Sequence, residues 1–147
     1  MNLAIDDDIK VYKKDQIIFK EGDKPQKLFI LKSGKILCLK KSKDRLVPIN
    51  SVSDKSLVGE EALILGEPHS YSAIALEETA VIEISAKTIA AVIKVAPPWL
   101  GGLLKTLSDR INETSSVISE HRIIHPDLSG GQELTPQEEN RLKKLLV

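Results

Sequence analysis

Between Ile17 and Ile84 the chain is a succession of short apolar runs, each closed by turn residues. Ile17-Ile18-Phe19 ends at Glu21-Gly22-Asp23, and Leu28-Phe29-Ile30-Leu31 ends at Ser33-Gly34. Ile36–Leu39, Leu46–Ile49, Ser72–Leu76 and Ala80–Ile84 follow. Such runs are too short for helices and are rich in β-branched residues, so they predict the strands of a sandwich or barrel. Residues 28–31 and 36–39 flank Lys32-Ser33-Gly34-Lys35 and are expected to pair as a hairpin. Cys38 then falls within a strand, as a small core residue rather than a reactive thiol.

A chain of 147 residues has room for one domain. With 41% hydrophobic and 29% charged residues it reads as globular. The 21 basic and 21 acidic side chains cancel, which argues against a nucleic-acid or membrane surface as its main business. A single cysteine excludes an internal disulfide framework and fits a reducing compartment. No apolar run is long enough for a membrane span, and the first residues lack the apolar core of a signal peptide, so a cytoplasmic location is expected.

The texture changes at Ser85. Residues 86–95 have helical composition, Pro97-Pro98 ends that helix, and a long helix is expected from Trp99 to about His125. Leu104, Leu107, Ile111, Thr114, Ile118, His121 and His125 recur at alternating spacings of 3 and 4, a heptad seam. Leu100, Leu103 and Val117 widen it. A helix of about 40 Å, at about 1.5 Å per residue, is too long for so small a domain to cover. A homodimer through Leu104, Leu107, Ile111 and Ile118 is therefore expected. Ser129-Gly130-Gly131 is a flexible break. Thr135-Pro136-Gln137-Glu138 has the composition of a capped helix start, and Leu142, Leu145, Leu146 and Val147 give that last helix an apolar side. It is expected to pack on its own domain or on the dimer mate, with docking to another protein as the alternative. The expected divisions are 1–95, 96–128 and 129–147.

The stretch from Leu57 to Ser72 interrupts the strands with a helix-like run, 60–64, between Gly59 and Gly66. A helix N-terminus presents unpaired N–H groups and a partial positive charge, which suits a phosphate. Gly59 permits close approach of the backbone. A carboxylate in a cavity needs hydrogen-bond donors, and a sugar hydroxyl is one, which suits Glu60. Glu61 reads as an ordinary solvated charge.

This segment and the order of elements resemble the cyclic nucleotide-binding domain family. The resemblance runs from about Tyr12 to Ser116 and rests on residues 17–36, 58–75, 78–85 and the helix after Pro97. It implies a mainly β fold with α, an eight-stranded jelly-roll barrel with a phosphate-binding cassette, followed by the long helix. It implies cAMP or cGMP as ligand, with Glu60 of the Gly59-Glu60 pair accepting the ribose 2′-hydroxyl and the backbone of the turn and short helix facing the phosphate. Ser70 falls on the small residue that meets the phosphate, and Thr114-Ser115 on a pair that touches the base. The implied set is Val58, Gly59, Glu60, Glu61, Ala62, His69, Ser70, Tyr71, Thr114 and Ser115.

Three positions depart from the family pattern. His69 stands where the family has an arginine, and offers phosphate one donor and a pH-dependent charge instead of a permanent fork. Lys55 replaces a glycine, and Tyr71 a smaller alanine. They motivate an alternative: a degenerate domain retained as a ligand-free interaction scaffold. A helix-turn-helix is not expected, because only one further helix is predicted after the long one. Neither a metal site nor an enzyme is expected. Of the histidines only His69 lies in the barrel region, while His121 and His125 share a helix face without further ligands, and no nucleophile–base pair is visible. Any signal to the unknown downstream partner is expected to leave through residues 117–147.

Overall fold

The computed structural model describes residues 9–53, 55–121 and 134–146. Its elements are β1 (Ile9–Tyr12), β2 (Ile17–Phe19), β3 (Lys27–Ser33), β4 (Ile36–Ser42), β5 (Arg45–Val52), β6 (Leu57–Val58), α1 (Glu60–Leu65), β7 (Ser72–Ala75), β8 (Thr79–Ser85), α2 (Ala86–Val95), α3 (Pro98–His121) and α4 (Pro136–Leu146). The strands form two four-stranded antiparallel sheets, β1-β8-β3-β6 and β2-β7-β4-β5. This is the mainly β jelly roll the sequence predicts.

The expected hairpin between residues 28–31 and 36–39 does not form. β3 pairs with β6 and β8, and β4 pairs with β5 and β7, so the chain changes sheet at Gly34. The reason lies in what the turn packs on. Gly34 adopts φ +97° and is pressed onto β8: a Cβ there would lie 2.4 Å from Thr79 Oγ1 and 2.7 Å from the Glu78 carbonyl. Thr79 Oγ1 also accepts the Lys35 N–H at 3.2 Å. The hairpin is instead β4–β5, closed by Lys43-Asp44 with Ser42 opposite Arg45. Pro48 is accommodated because β5 is an edge strand and its register with β4 shifts beside it.

The main core lies between the sheets and joins Phe19, Phe29, Leu31, Ile36, Cys38 and Val81, among others. The Cys38 thiol is pushed up by burial first and by the Glu61 and Glu60 charges next, as befits an inert core residue. The run Ile36–Leu39 does not alternate because both of its faces are covered. Ile36 and Cys38 enter the main core, while Leu37 and Leu39 join Leu46, Ile74 and Leu142 of α4 on the other side.

The last helix thus packs on its own domain. Its start is capped as its sequence implies: Thr135 Oγ1 accepts the Glu138 N–H at 3.2 Å, and Glu138 Oε2 accepts the Thr135 N–H at 2.9 Å. Glu139 is buried and accepts from Arg45 Nε and from the Leu46 N–H, each at 2.9 Å, which locks the helix to β5.

Helix α2 matches residues 86–95, with Ser85 Oγ accepting the Thr88 N–H at 3.2 Å. It lies along β8, yet none of its residues is buried. Helix α3 packs on α1, β4 and β5. It is described as far as His121, so the expected extension through His125 to residue 128 lies outside the described residues, as do the Ser129-Gly130-Gly131 break and the side chains of Ser115, Ile118 and His121. No helix among the described residues is long and apolar enough to cross a membrane.

Candidate functional site

Helix α3 lies over α1, β4 and β5, and a half-open cavity of about 460 Å³ lies beneath it. Strands β4, β5 and β6 supply an apolar wall that includes Ile49, Val52 and Val58, while α3 contributes Leu107, Arg110, Ile111 and Thr114. Glu60, at the first position of α1, and Tyr71 complete it. Among the described lining residues the charged ones are Glu60 and Arg110. Glu60 Oε2 is buried with no hydrogen-bond partner among the described residues, and burial raises its carboxyl above the ordinary range. The Glu60 backbone N–H tempers that rise, and Oε2 remains an acceptor that a hydroxyl donor would satisfy.

The expectation for Glu61 is overturned: it is buried, at 1% exposure. It faces inward from α1, beside Tyr71, whose hydroxyl donates to Glu61 Oε2 at 3.4 Å. Burial, followed by the neighbouring Glu60 charge, pushes its carboxyl up to about 7. The same Tyr71 hydroxyl accepts the Gly59 N–H at 3.1 Å. The bulky residue in place of a small one therefore occupies a backbone donor that opens the short helix. Ala62, at 1% exposure, sits beneath it as packing.

His69 does not join this cavity. Its backbone is tied to the β2–β3 loop by Gly22 N–H to His69 O at 2.8 Å and His69 N–H to Asp23 O at 2.9 Å. Its ring stacks on Phe19, with centroids 3.9 Å apart and planes 15° apart. An imidazole is flat enough to stack there, and it lines a different hollow. Ser70 is also turned away, its Oγ donating to Asn112 Oδ1 of α3 at 2.9 Å. The sequence-predicted residues that line the α3-covered cavity are thus Val58, Glu60, Tyr71 and Thr114, with Gly59 behind Tyr71. Lys55 adopts φ +65°, the conformation a glycine would take without strain, and its N–H donates to the Leu31 carbonyl at 2.9 Å.

Sequence reasoning missed Arg110. It lies one turn before Thr114, whose Oγ1 donates to the Arg110 carbonyl at 2.8 Å, so the predicted contact at Thr114 implied a second position on the same face.

A family model described as Cyclic nucleotide-binding domain matches residues 9–95. The chain belongs to the cyclic nucleotide-binding domain family. Among solved structures it is similar to the EAL enzyme Bd1971 in its cAMP-bound form, at 25% identity and a TM-score of 0.69, covering 74% of this chain and 29% of that one. The cGMP-bound form of the same enzyme matches at 25% identity and 0.67, with the same coverage. The catabolite activator protein of Thermus thermophilus shares the fold at 24% identity and 0.63, covering 76% of this chain and 53% of that one. This chain therefore spans less than a third of the EAL enzyme's length. In this cyclic nucleotide-binding domain, the α3-covered cavity is lined by strands β4, β5 and β6, by Glu60 and by Tyr71.

Proposed function

We propose that this chain is a regulatory module whose ligand, cAMP or cGMP, lies in the cavity beneath α3. The observation that carries this reading is Glu60 Oε2, buried without a partner among the described residues, on a half-buried residue in the wall of a hollow that also holds one guanidinium, Arg110. Glu60 accepts the ribose 2′-hydroxyl. Arg110 supplies the positive charge that the cassette lacks at His69, and the phosphate turns toward it. Thr114 and Ser115 meet the base. Residues 1–95 act as the binding unit, 96–128 couple occupancy to a homodimer, and within 129–147 helix α4 fastens to the sheet. No catalytic step is assigned.

Two observations support the dimer. Trp99, Leu103, Leu107 and Ile111 stand four residues apart on α3 and are 67%, 47%, 46% and 43% exposed. Leu104, one of the expected seam residues, is only half-buried on the same helix.

A second reading is favoured by the Tyr71 hydroxyl on the Gly59 N–H. With that donor occupied from within, the domain serves as a ligand-free scaffold. Calorimetry with cAMP and cGMP separates the two. A saturable isotherm that weakens about tenfold or more in Arg110→Gln and in Glu60→Gln supports the sensor, since a hydrogen bond to a charged group is worth about 1.5–3 kcal/mol. A folded protein that takes up neither nucleotide at millimolar concentration leaves the scaffold.

A further inference from the structure

The zero net charge of the whole chain hides a local imbalance. From Ile84 to Ser108 there is no carboxylate, while Lys87, Lys94 and Lys105 fall within that stretch. All three lysines are exposed and make no ion pair among the described residues. The stretch comprises α2, the corner at Ala96-Pro97 and the first turns of α3.

Helix α2 is apolar on both sides. Ile89, Ala90 and Ile93 line a groove shared with Leu63 of α1, and helical periodicity places Ala91, Val92 and Val95 on the opposite side. A helix apolar on both sides is ordinarily buried, yet α2 buries none of its residues. Val92 is 54% exposed, and Val95, at 85%, is the most exposed large apolar side chain among the described residues. Trp99, just beyond Pro97-Pro98, is 67% exposed. Exposure this high means that the corner projects from the domain. Its backbone is also cheap to take out of water. Pro97 and Pro98 have no N–H, the Ala96 N–H donates to the Ile93 carbonyl at 3.2 Å, and the Leu100 N–H donates to the Pro97 carbonyl at 3.0 Å.

We propose that the corner between α2 and α3 docks on an anionic lipid surface. Val95 and Trp99 enter the headgroup boundary, Val92 follows, and Lys87, Lys94 and Lys105 meet the lipid anions. A tryptophan suits that depth, because its ring is apolar while its N–H stays within reach of polar headgroups. The groove on the other side of α2 holds Glu67 as well as Lys24 and Lys94, so the carboxylate-free outer side is the docking face. A second copy fits this face poorly. A two-fold contact sets Lys87 and Lys94 near their own counterparts, and three side chains fall well short of the roughly 800 Å² per partner of a stable interface. Trp99 ends the exposed line on α3, so a dimer through Leu103, Leu107 and Ile111 leaves the corner at its rim. With so few apolar groups the attachment is weak and reversible.

Trp99 is the single tryptophan of the chain, so its emission reports on the corner. The full chain is titrated with vesicles of phosphatidylcholine alone and of phosphatidylcholine mixed with phosphatidylserine. The mixed vesicles are expected to give a saturable blue shift and co-sedimentation, and the neutral ones to bind about tenfold or more weakly. Lys87→Gln combined with Lys94→Gln is expected to remove most of that preference. Val95→Ser is expected to weaken co-sedimentation with the mixed vesicles about tenfold. None of the three positions lines the nucleotide cavity, so the cAMP and cGMP isotherms are expected to stay unchanged. Equal binding to both vesicles, no saturable binding, or binding unchanged in Val95→Ser overturns the proposal. A blue shift that follows protein concentration without vesicles assigns the corner to a second copy. One produced by polyglutamate but not by vesicles assigns it to an acidic protein, and either result overturns the lipid surface.

Discussion

The Tyr71 hydroxyl accepts the Gly59 N–H at 3.1 Å and directs its own proton to Glu61 Oε2 at 3.4 Å. One phenol thus occupies a backbone donor of the cassette and restrains a buried carboxylate. A phosphate that approaches Gly59 has to displace it. Tyr71→Phe is expected to act in opposite directions on two measurements. Stability falls by about 1 kcal/mol, because the Gly59 N–H and the Glu61 carboxylate each lose a partner. Cyclic nucleotide affinity rises by up to about tenfold, because the ligand no longer competes with the hydroxyl. Denaturant unfolding and calorimetry on one preparation read both. Unchanged affinity would show that the phosphate does not use Gly59.

Glu61 gives the fold a pH dependence of its own. Its carboxyl is raised by burial, and then by Glu60, from 4.5 to about 7. The folded state therefore holds this proton more tightly than the unfolded chain. The contribution to stability is complete below about 4.5 and is lost as pH rises through about 7, amounting to about 3 kcal/mol at most. Glu61→Gln keeps the shape and removes the titration. The difference between wild-type and variant melting temperatures is expected to move in the variant's favour between pH 5 and pH 8. A constant difference across that interval would exclude Glu61 as the titrating group.

The sheet change at Gly34 can be tested against a glycine with the same backbone but open surroundings. Gly34 and Gly22 have φ of +97° and +91°, but a Cβ on Gly22 meets nothing within 4 Å. Gly22→Ala carries only the left-handed penalty of about 1–2 kcal/mol. Gly34→Ala adds a collision with the Glu78 carbonyl and Thr79, which overpacking data put at about 1–3 kcal/mol more. Thermal unfolding of the two variants should rank them in that order. Equal losses would mean that the β3–β4 turn yields without disturbing β8.

Local signals in the sequence were sufficient for the strand runs, the break at Ser85, helix α2 and the cap of α4, because each depends on residues within a few positions of one another. The partner of each strand was not legible. The segments around Gly34 look like a hairpin in one dimension, and only the contact with Thr79, 45 residues on, decides otherwise. The run Ile36–Leu39 announced two covered faces without saying that α4 covers one. In the site, Glu60 was readable from its cassette. Arg110 has no motif of its own, and only its place one turn before the predicted contact at Thr114 pointed to it. The inward turn of Glu61 and the stacking of His69 on Phe19 depend on the packing around α1, which a linear pattern does not encode.

The exposed line on α3 offers the sharpest test of coupling between the nucleotide cavity and assembly. Leu107 and Ile111 line the cavity, are 46% and 43% exposed, and continue the line of Trp99 and Leu103 along α3, which places the ligand space beside the proposed dimer surface. Trp99 and Leu103 extend that surface without lining the cavity. Leu103→Glu places a charge on the dimer face alone, and is expected to convert a sedimenting dimer to a folded monomer. If ligand and assembly share α3, cAMP or cGMP should shift the dimer dissociation constant of the wild type. The monomeric variant should then differ in nucleotide affinity in the direction that linkage requires, because the coupling is reciprocal. Sedimentation velocity with and without nucleotide, together with calorimetry on Leu103→Glu, reads both sides of that cycle. A wild-type monomer at every concentration tested removes the dimer, and a dimer indifferent to nucleotide removes the coupling while leaving the cavity's ligand in place.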